Sequence, residues 1–334
     1  MISRTGDAHV LQPQIRTILV AVADPSSARQ PAVDRAARLA APLGARMVLF
    51  HAAFEPALSG RPFFDSKRLA KSRGWFVADR TRQLERHAAE LRSSGLDVDA
   101  CAVWEDPVHE AVVRAALREK ADLVVAGRHE RRADRPPQLR LTDWELMRLC
   151  PRPLLLTRSV SNSSESGSVL AALDPTHAYD KPAHLDISIA GYAAALAQAL
   201  QVELHAVHCL PNAAYPPGEV TSAQRQRMRK RVQAQLQRVM KKSGLTAGGL
   251  HVLNGSVTDS LPALARELPA QIIAMGIISR RWLKRFVIGD TAESIIREAP
   301  CDLLLIKPDN FRIRLGRSRK QAIVLPKTPL GGSE

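Results

Sequence analysis

The sequence predicts an α/β protein of two tandem domains, each a five-stranded parallel sheet sandwiched by helices, and three observations carry that expectation. Short apolar runs of strand length alternate with longer polar or alanine-rich stretches of helix length. The whole alternation occurs twice, with the second copy following the first by about half the chain. The chain of 334 residues is long enough for two domains at roughly 150 residues each. Two hydrophobic cores, one in each half, are the corresponding expectation.

Each half opens with an apolar run that ends in Asp-Pro, Ile18–Ala23 before Asp24 and Val169–Leu173 before Asp174. Near-continuous apolar runs of this kind suit strands buried on both faces, as a parallel sheet requires. An alanine-rich helical stretch follows each run. Second strands are read at Ala45–His51 and Gln201–His208, followed by long polar helices over Ser66–Ser94 and Ser222–Ser243. Third strands follow at Val98–Trp104 and Leu250–Leu253, with helices over Pro107–Glu119 and Val257–Leu268. Fourth strands lie at Leu123–Gly127 and Ile272–Gly276, and fifth strands at Leu154–Leu156 and Leu303–Ile306. From the third strand onward the copies stay in step, Gly127 matching Gly276, Thr142 matching Thr291 and Pro151 matching Pro300. The connections are long enough for the crossovers that parallel strands need.

These elements divide the chain into a first domain over 14–158, a Ser-rich linker over 159–167, a second domain over 168–309 and a basic, mobile tail over 310–334. The linker is short, so the domains are expected to pack as an intramolecular pseudo-dimer of two separate sheets. Leu146 and Leu149, or Ile295 and Ile296, on the fourth helix of each half illustrate the apolar positions that a pairing face on the second and fourth helices would use.

Composition narrows the function classes. Hydrophobic residues at 45% and charged residues at 24% exclude a disordered or fibrous chain. Aromatic residues at 4% leave the cores to Leu, Val, Ile and Ala, and argue against binding through rows of exposed rings. Cys101, Cys150, Cys209 and Cys301 form no CxxC pair, so neither a zinc module nor a disulfide framework is indicated. No apolar window reaches bilayer length and no secretory leader is apparent, which makes a cytoplasmic location the expectation. The net charge of +15 favours polyanionic partners.

Three segments carry a family resemblance: Thr142–Pro153, Gly289–Glu293 and Cys301–Asp309. A fourth, weaker one joins Val103-Trp104 to Glu110-Ala111-Val112. Together they resemble the universal stress protein family in its tandem, E-type form, over about residues 14 to 311. The resemblance implies the adenine nucleotide alpha hydrolase-like fold and a stress-response role that is non-enzymatic, exerted through an unidentified protein partner or a bound small molecule.

Some family members hold ATP with Gly, two residues, Gly, nine residues, Gly, then Ser or Thr, between the fourth strand and fourth helix. Glycines there let backbone amides approach phosphate oxygens at a helix N-terminus. The second half retains this register as Gly276, Ser279, Gly289 and Asp290, with two positions changed. A carboxylate at Asp290 opposes a phosphate, and Asp290 with Glu293 fits a helix capping box better than a ligand contact. In the first half only Gly127 survives, Glu130, Arg140 and Leu141 occupying the other positions, while Thr142 with Glu145 again suits a capping box. Asp24 and Asp174 stand where ATP-binding relatives reach the base; an Asp-Pro turn closing a strand is an equal reading. No resident cofactor is expected on this reading, with ATP in the second domain as the alternative.

His205 and His208 are three apart on a strand and face opposite sides, so they are not joint metal ligands. His51 and His208 fill equivalent places and are read as structural. No nucleophile, base and orienting group recur in either half, so no catalytic residue and no metal ligand is assigned. Basic residues gather on the helix Arg225–Lys242, in the loop Arg280–Arg285 and on the tail Arg312–Lys320. The first is read as a solvated face, with nucleic-acid or acidic-membrane binding as a second alternative. The oligomeric state is open.

Overall fold

The computed structural model describes residues 12–59, 66–128, 141–158, 167–176, 183–210, 221–277, 290–313 and 315. The first half contains β1 (Thr17–Ala21), α1 (Pro31–Leu43), β2 (Arg46–Ala53), α2 (Ser66–Ser93), β3 (Val98–Trp104), α3 (Val108–Arg118), β4 (Leu123–Gly127), α4 (Leu141–Leu149) and β5 (Leu154–Thr157). The second half repeats the series as β6 (Ser168–Ala172), α5 (Ala183–Leu200), β7 (Glu203–Leu210), α6 (Ser222–Lys242), β8 (Gly249–Asn254), α7 (Val257–Glu267), β9 (Ala270–Gly276), α8 (Asp290–Glu298) and β10 (Asp302–Ile306). Every strand and long helix expected from the sequence is present, with ends shifted by a residue or two.

The sheets, however, are not separate. The strand order β3-β2-β1-β4-β5-β10-β9-β6-β7-β8 forms one ten-stranded sheet. Within each half all pairs are parallel, and the halves join through an antiparallel pair, Leu154–Leu156 of β5 against Leu305–Leu303 of β10. The duplication survives intact, because each half keeps the order of third, second, first, fourth, fifth strand. Each half on its own would leave its fifth strand as an open edge with unpaired amides and carbonyls. Two such edges related by a pseudo-twofold axis at Leu155 and Leu304 satisfy each other.

Joining the sheets redistributes the core. The described residues form two cores, but these are divided by sheet face rather than by domain. Ile18, Val20, Leu155, Val169, Leu304 and Ile306 belong to one, with residues of α1, α2, α5 and α6. Leu19, Leu154, Leu156, Leu170, Leu303 and Leu305 belong to the other, with residues of α3, α4, α7 and α8. Successive strand residues point to opposite faces, so each strand serves both.

The helices that meet across the junction are α1 and α5, rather than the second and fourth helices of each half. Leu146, Ile295 and Ile296 are buried in the core that both halves share on that face of the sheet, and Leu149 packs against the same core. Helix α1 begins with Pro31 and ends at Gly44, whose φ of 59° lets its amide reach the carbonyls of Ala40 and Ala41. Its Ala32, Val33, Ala36, Leu39 and Ala40 face inward at helical spacing.

Polar side chains pin the junction. Arg35 of α1, 2% exposed, crosses to the second half, where Nε lies 2.7 Å from Asp302 Oδ2 and Nη1 donates to Gln271 Oε1 at 3.0 Å. The Arg158 amide donates to Asp302 Oδ1 at 2.9 Å. Burial pushes the Asp302 carboxyl up, and Arg35 and the Arg158 amide work against that rise. Arg128 at the end of β4 donates to the carbonyls of Ile296 and Ala299 at 2.8 and 3.1 Å, closing the C-terminus of α8 in the other half. Arg158 donates likewise to the Pro300 carbonyl, and its counterpart Lys307 donates to the Cys150 carbonyl beyond α4. Burial pulls the Lys307 amine down to about 8.

Two predictions follow from this junction. Arg35→Ala leaves Asp302 buried without its cation, and urea unfolding should show a loss of about 3–5 kcal/mol; a loss below about 1 kcal/mol would mean that the pair does not secure the halves. Lys307 is charged in both folded and unfolded chains below its folded value of about 8, so the cost of burying that charge is fully present there. From pH 8 to 10.5 the folded state sheds the proton while the unfolded state keeps it. The stability of the wild type relative to Lys307→Met should therefore rise over that range, by on the order of 3 kcal/mol, and a flat difference in denaturation midpoints would contradict it.

Candidate strand-end sites

In each half the strand order reverses between the first and fourth strands, which is where open parallel sheets gather ligands, beyond the carboxyl ends. The structure brings the expected residues there in pairs. Asp24 follows β1 and Gly127 ends the adjacent β4; Asp174 follows β6 and Gly276 ends the adjacent β9. Because β5 and β10 run antiparallel, the two pairs lie at opposite edges of the common sheet.

Both aspartates are engaged by their own turns. Asp24 Oδ1 accepts from the Ser26 amide at 3.0 Å and the Ser26 hydroxyl at 2.6 Å, while Gln30 Nε2 donates to the Asp24 carbonyl at 2.7 Å. The Ser26 hydroxyl holds the Asp24 carboxyl below its usual range. Asp174 Oδ1 accepts from Thr176 Oγ1 at 2.7 Å and lies 4.0 Å from His208 Nδ1. Its amide donates to buried Asp186 at 3.1 Å.

The two glycines differ. A Cβ on Gly127 would meet no atom within 4 Å among the described residues. One on Gly276 would come within 3.0 Å of Leu185 and 3.2 Å of Ile189, both on α5. A side chain at Gly276 would crowd the methyl ends of these two residues, which would have to give by a few tenths of an ångström. Ser279 and Gly289 lie outside the described residues, as do Glu130 and Arg140; Asp290 is described only as the first residue of α8.

The Thr142 and Asp290 side chains on which the two expected capping boxes rest lie outside the described residues. Helix α4 starts at Leu141, before Thr142, and Glu145 is held by Arg148 Nε at 2.9 Å. Glu293 likewise accepts from Arg297 at 3.0 Å. A charge-assisted pair one turn along the helix engages each carboxylate.

His51 Nδ1 lies 2.8 Å from the Val22 carbonyl, and His208 Nδ1 lies 2.9 Å from the Leu173 carbonyl. Each ties the second strand of its half to the end of the first, as expected for structural histidines. Burial lowers the His51 pKa, which keeps the ring neutral at pH 7. His205 is instead 2.9 Å from His251 Nε2 on β8 and 3.2 Å from Glu203 Oε2. The rings rest over Gly249, where a Cβ would meet both at 2.7 Å. Sequence spacing concealed this pair, because its members sit on different strands.

A second cluster escaped the sequence reading. Trp104 at the end of β3 packs between Phe54 and Phe76 at ring distances of 5.7 and 6.1 Å. The Arg73 guanidinium stacks 5.2 Å over Trp104, and Arg80 stacks 4.8 Å over Phe76. Arg80 is also near enough for its charge to act on Asp24 and His51. This end of the first half therefore gathers cationic and carboxylate groups around half-buried rings and a buried Trp104. Val103-Trp104 was its only sequence signal.

The sequence model of the universal stress protein family matches residues 14–158 and 178–307. The chain belongs to that family. Its relatives include universal stress protein E of Escherichia coli, 25% identical over 304 residues that cover 88% of this chain and 95% of the relative. The universal stress protein E homolog of Haemophilus influenzae is 22% identical over 307 residues, covering 88% and 98%. Among solved structures, a Pseudomonas aeruginosa protein superposes with a TM-score of 0.66 at 22% identity, over 88% of this chain and 93% of that one. A universal stress protein from Archaeoglobus fulgidus gives 0.59 at 15%, over 88% and 99%. These structures share the tandem fold with this universal stress protein. Among its described residues no helix is long and apolar enough to cross a membrane, and no three metal-ligating side chains converge.

Three of the four thiols of this universal stress protein are held away from the thiolate form. Burial pushes Cys209 up to about 11 and Cys301 up to about 12, and raises Cys150 as well.

The histidine pair makes a pH prediction. Burial and the neighbouring His205 lower the His251 pKa from 6.5, against the opposing pull of Glu267. Below pH 6.5 the unfolded chain takes up a proton that the folded chain does not, so the stability contributed here is present above that pH and lost on acidification. His251→Gln should lose less stability than wild type between pH 7 and 5 in chemical unfolding; an identical acid dependence would contradict the assignment.

Proposed function

We propose that this tandem universal stress protein acts without turnover, through binding of a protein partner or a small ligand, and that it does not retain ATP tightly. The observation that carries this reading is the self-engagement of the strand-end sites. Asp24 and Asp174 are tied into their own turns, and Leu185 and Ile189 pack closely beside Gly276. Burial raises Cys150, Cys209 and Cys301, which disfavours the thiolate that a cysteine nucleophile needs. A cytoplasmic setting accords with this role.

A nucleotide-binding switch in the second domain is the second reading, and the register of Gly276, Ser279 and Gly289 retained in the sequence favours it. On that reading the carboxylate of Asp174, with Asp24 as its first-half counterpart, would contact the base or ribose. Gly276, Ser279, Gly289 and Asp290, with Gly127 as the counterpart of Gly276, would line the phosphate side.

Native mass spectrometry of the purified chain, together with thermal unfolding across millimolar ATP, separates the two. The binding reading expects no copurified nucleotide and no shift in Tm. A copurified nucleotide, or a Tm shift of several degrees that Asp174→Ala abolishes, would replace it with the second reading.

A further inference from the structure

We propose that the outward face of α6 is a binding surface for the phosphodiester backbone of nucleic acid, engaged without regard to base sequence. The inference goes beyond the small-ligand reading and does not depend on it.

The sequence of α6, SAQRQRMRKRVQAQLQRVMKK, carries eight cations and no carboxylate, more than half of the net charge of +15. Only Val232, Leu236 and Met240 are buried, one row at a spacing of four that anchors the C-terminal half to the sheet. Residues 221–231 are exposed throughout, so the first turns stand clear of the body. Taken at 3.6 residues per turn, Arg227, Lys230, Arg231, Arg238, Lys241 and Lys242 fall opposite the buried row. Their Cα atoms extend over about 22 Å at 1.5 Å per residue. Among the described residues none of these six forms an ion pair.

The duplication supplies an internal control. Helix α2 occupies the same place in the first half and is also rich in Lys and Arg, yet it interleaves Asp79, Glu85 and Glu90. There Arg82 pairs with Asp79 and Arg92 with Glu85, each at 2.9 Å. Solvation alone would be served by the mixed pattern of α2. In α6, Arg227 with Arg231 and Arg238 with Lys242 are like charges one turn apart, which weakens the isolated helix. A capping box opposes that repulsion: Thr221 Oγ1 accepts from the Gln224 amide at 3.3 Å, and Gln224 Oε1 accepts from the Thr221 amide at 2.8 Å. A polyanion laid along the stripe removes the repulsion altogether and releases its own counterions.

The chemistry of the face selects the polyanion. A helix that binds a membrane surface needs an apolar side to enter the lipid, and the apolar row of α6 is already used against the sheet. The face also lacks aromatic rings for stacking on bases. Cations without apolar or base-reading groups suit phosphate contacts, which position a nucleic acid without specifying its sequence.

Fluorescence anisotropy of the full chain, with a DNA duplex and an RNA hairpin as separate probes, tests the proposal across a salt series. The triple variant Arg227→Gln, Arg231→Gln, Arg238→Gln should weaken binding by on the order of tenfold or more and reduce the slope of log Kd against log salt by about 3. A matched α2 variant, Arg68→Gln, Lys71→Gln, Arg82→Gln, removes the same charge and should stay within about twofold of wild type. Whether DNA or RNA binds more tightly identifies the source of the backbone. Unchanged affinity in the α6 variant, equal losses in both variants, or tighter binding to phosphatidylglycerol vesicles than to either nucleic acid would overturn it. Circular dichroism checks folding, and if the arginine variant is unfolded, Lys230→Gln, Lys241→Gln, Lys242→Gln reads the same stripe.

Discussion

The antiparallel pairing of β5 with β10 is the constraint on which the rest of the molecule depends. It consumes the one strand edge in each half that lies toward its partner, and centres the contact on Leu155 and Leu304. Two domains that each resemble a complete fold thereby share a sheet and both cores. The pairing also sends the two strand-end sites to opposite edges, so a ligand held by one does not touch the other. Any communication between them has to run through the common sheet or the polar contacts at the junction.

Those contacts are more specific than the leucine pairing they surround. A run of leucines on each strand would tolerate a shifted register, whereas Arg35 reaching Asp302 and Gln271, and Arg128 reaching the last carbonyls of α8, fit only one. Arg158 and Lys307 reproduce each other across the pseudo-twofold axis, but Arg35 does not have an arginine counterpart. At the matching place on α5 stands Tyr192, whose phenol is pushed up to about 12 by burial and the nearby Asp122 charge. The halves have thus diverged at their contact while keeping its geometry.

Divergence also separates what the halves offer to solvent. In the first, Arg73 and Arg80 cap buried and half-buried aromatic rings near Asp24, and the long helix interleaves its eight cations with three carboxylates. The second presents a strand end at Gly276 packed closely by Leu185 and Ile189, a histidine pair over Gly249, and a helix whose charge is all of one sign. Duplication with specialisation of this kind lets one copy carry a surface role that would compromise the other.

Strand and helix positions, the repeat, and the structural use of His51 and His208 were legible in the sequence, because they depend on local periodicity and on positions that recur in register. The Asp-Pro turns were legible for the same reason: an aspartate reaches its own turn residues whatever lies beyond. The assignment of Leu146, Ile295 and Ile296 to a pairing face was not, since an apolar residue on a helix has the same pattern whether it faces its own sheet or a neighbour. The junction of the sheets, the reach of Arg35 to Asp302, the meeting of His205 with His251, and the close packing of Leu185 beside Gly276 all join residues far apart in the chain. Only the tertiary structure decided those, because edge pairing and side-chain reach are settled by the positions of whole elements, and the spacing of residues along one element does not record which edge or which neighbour it will meet.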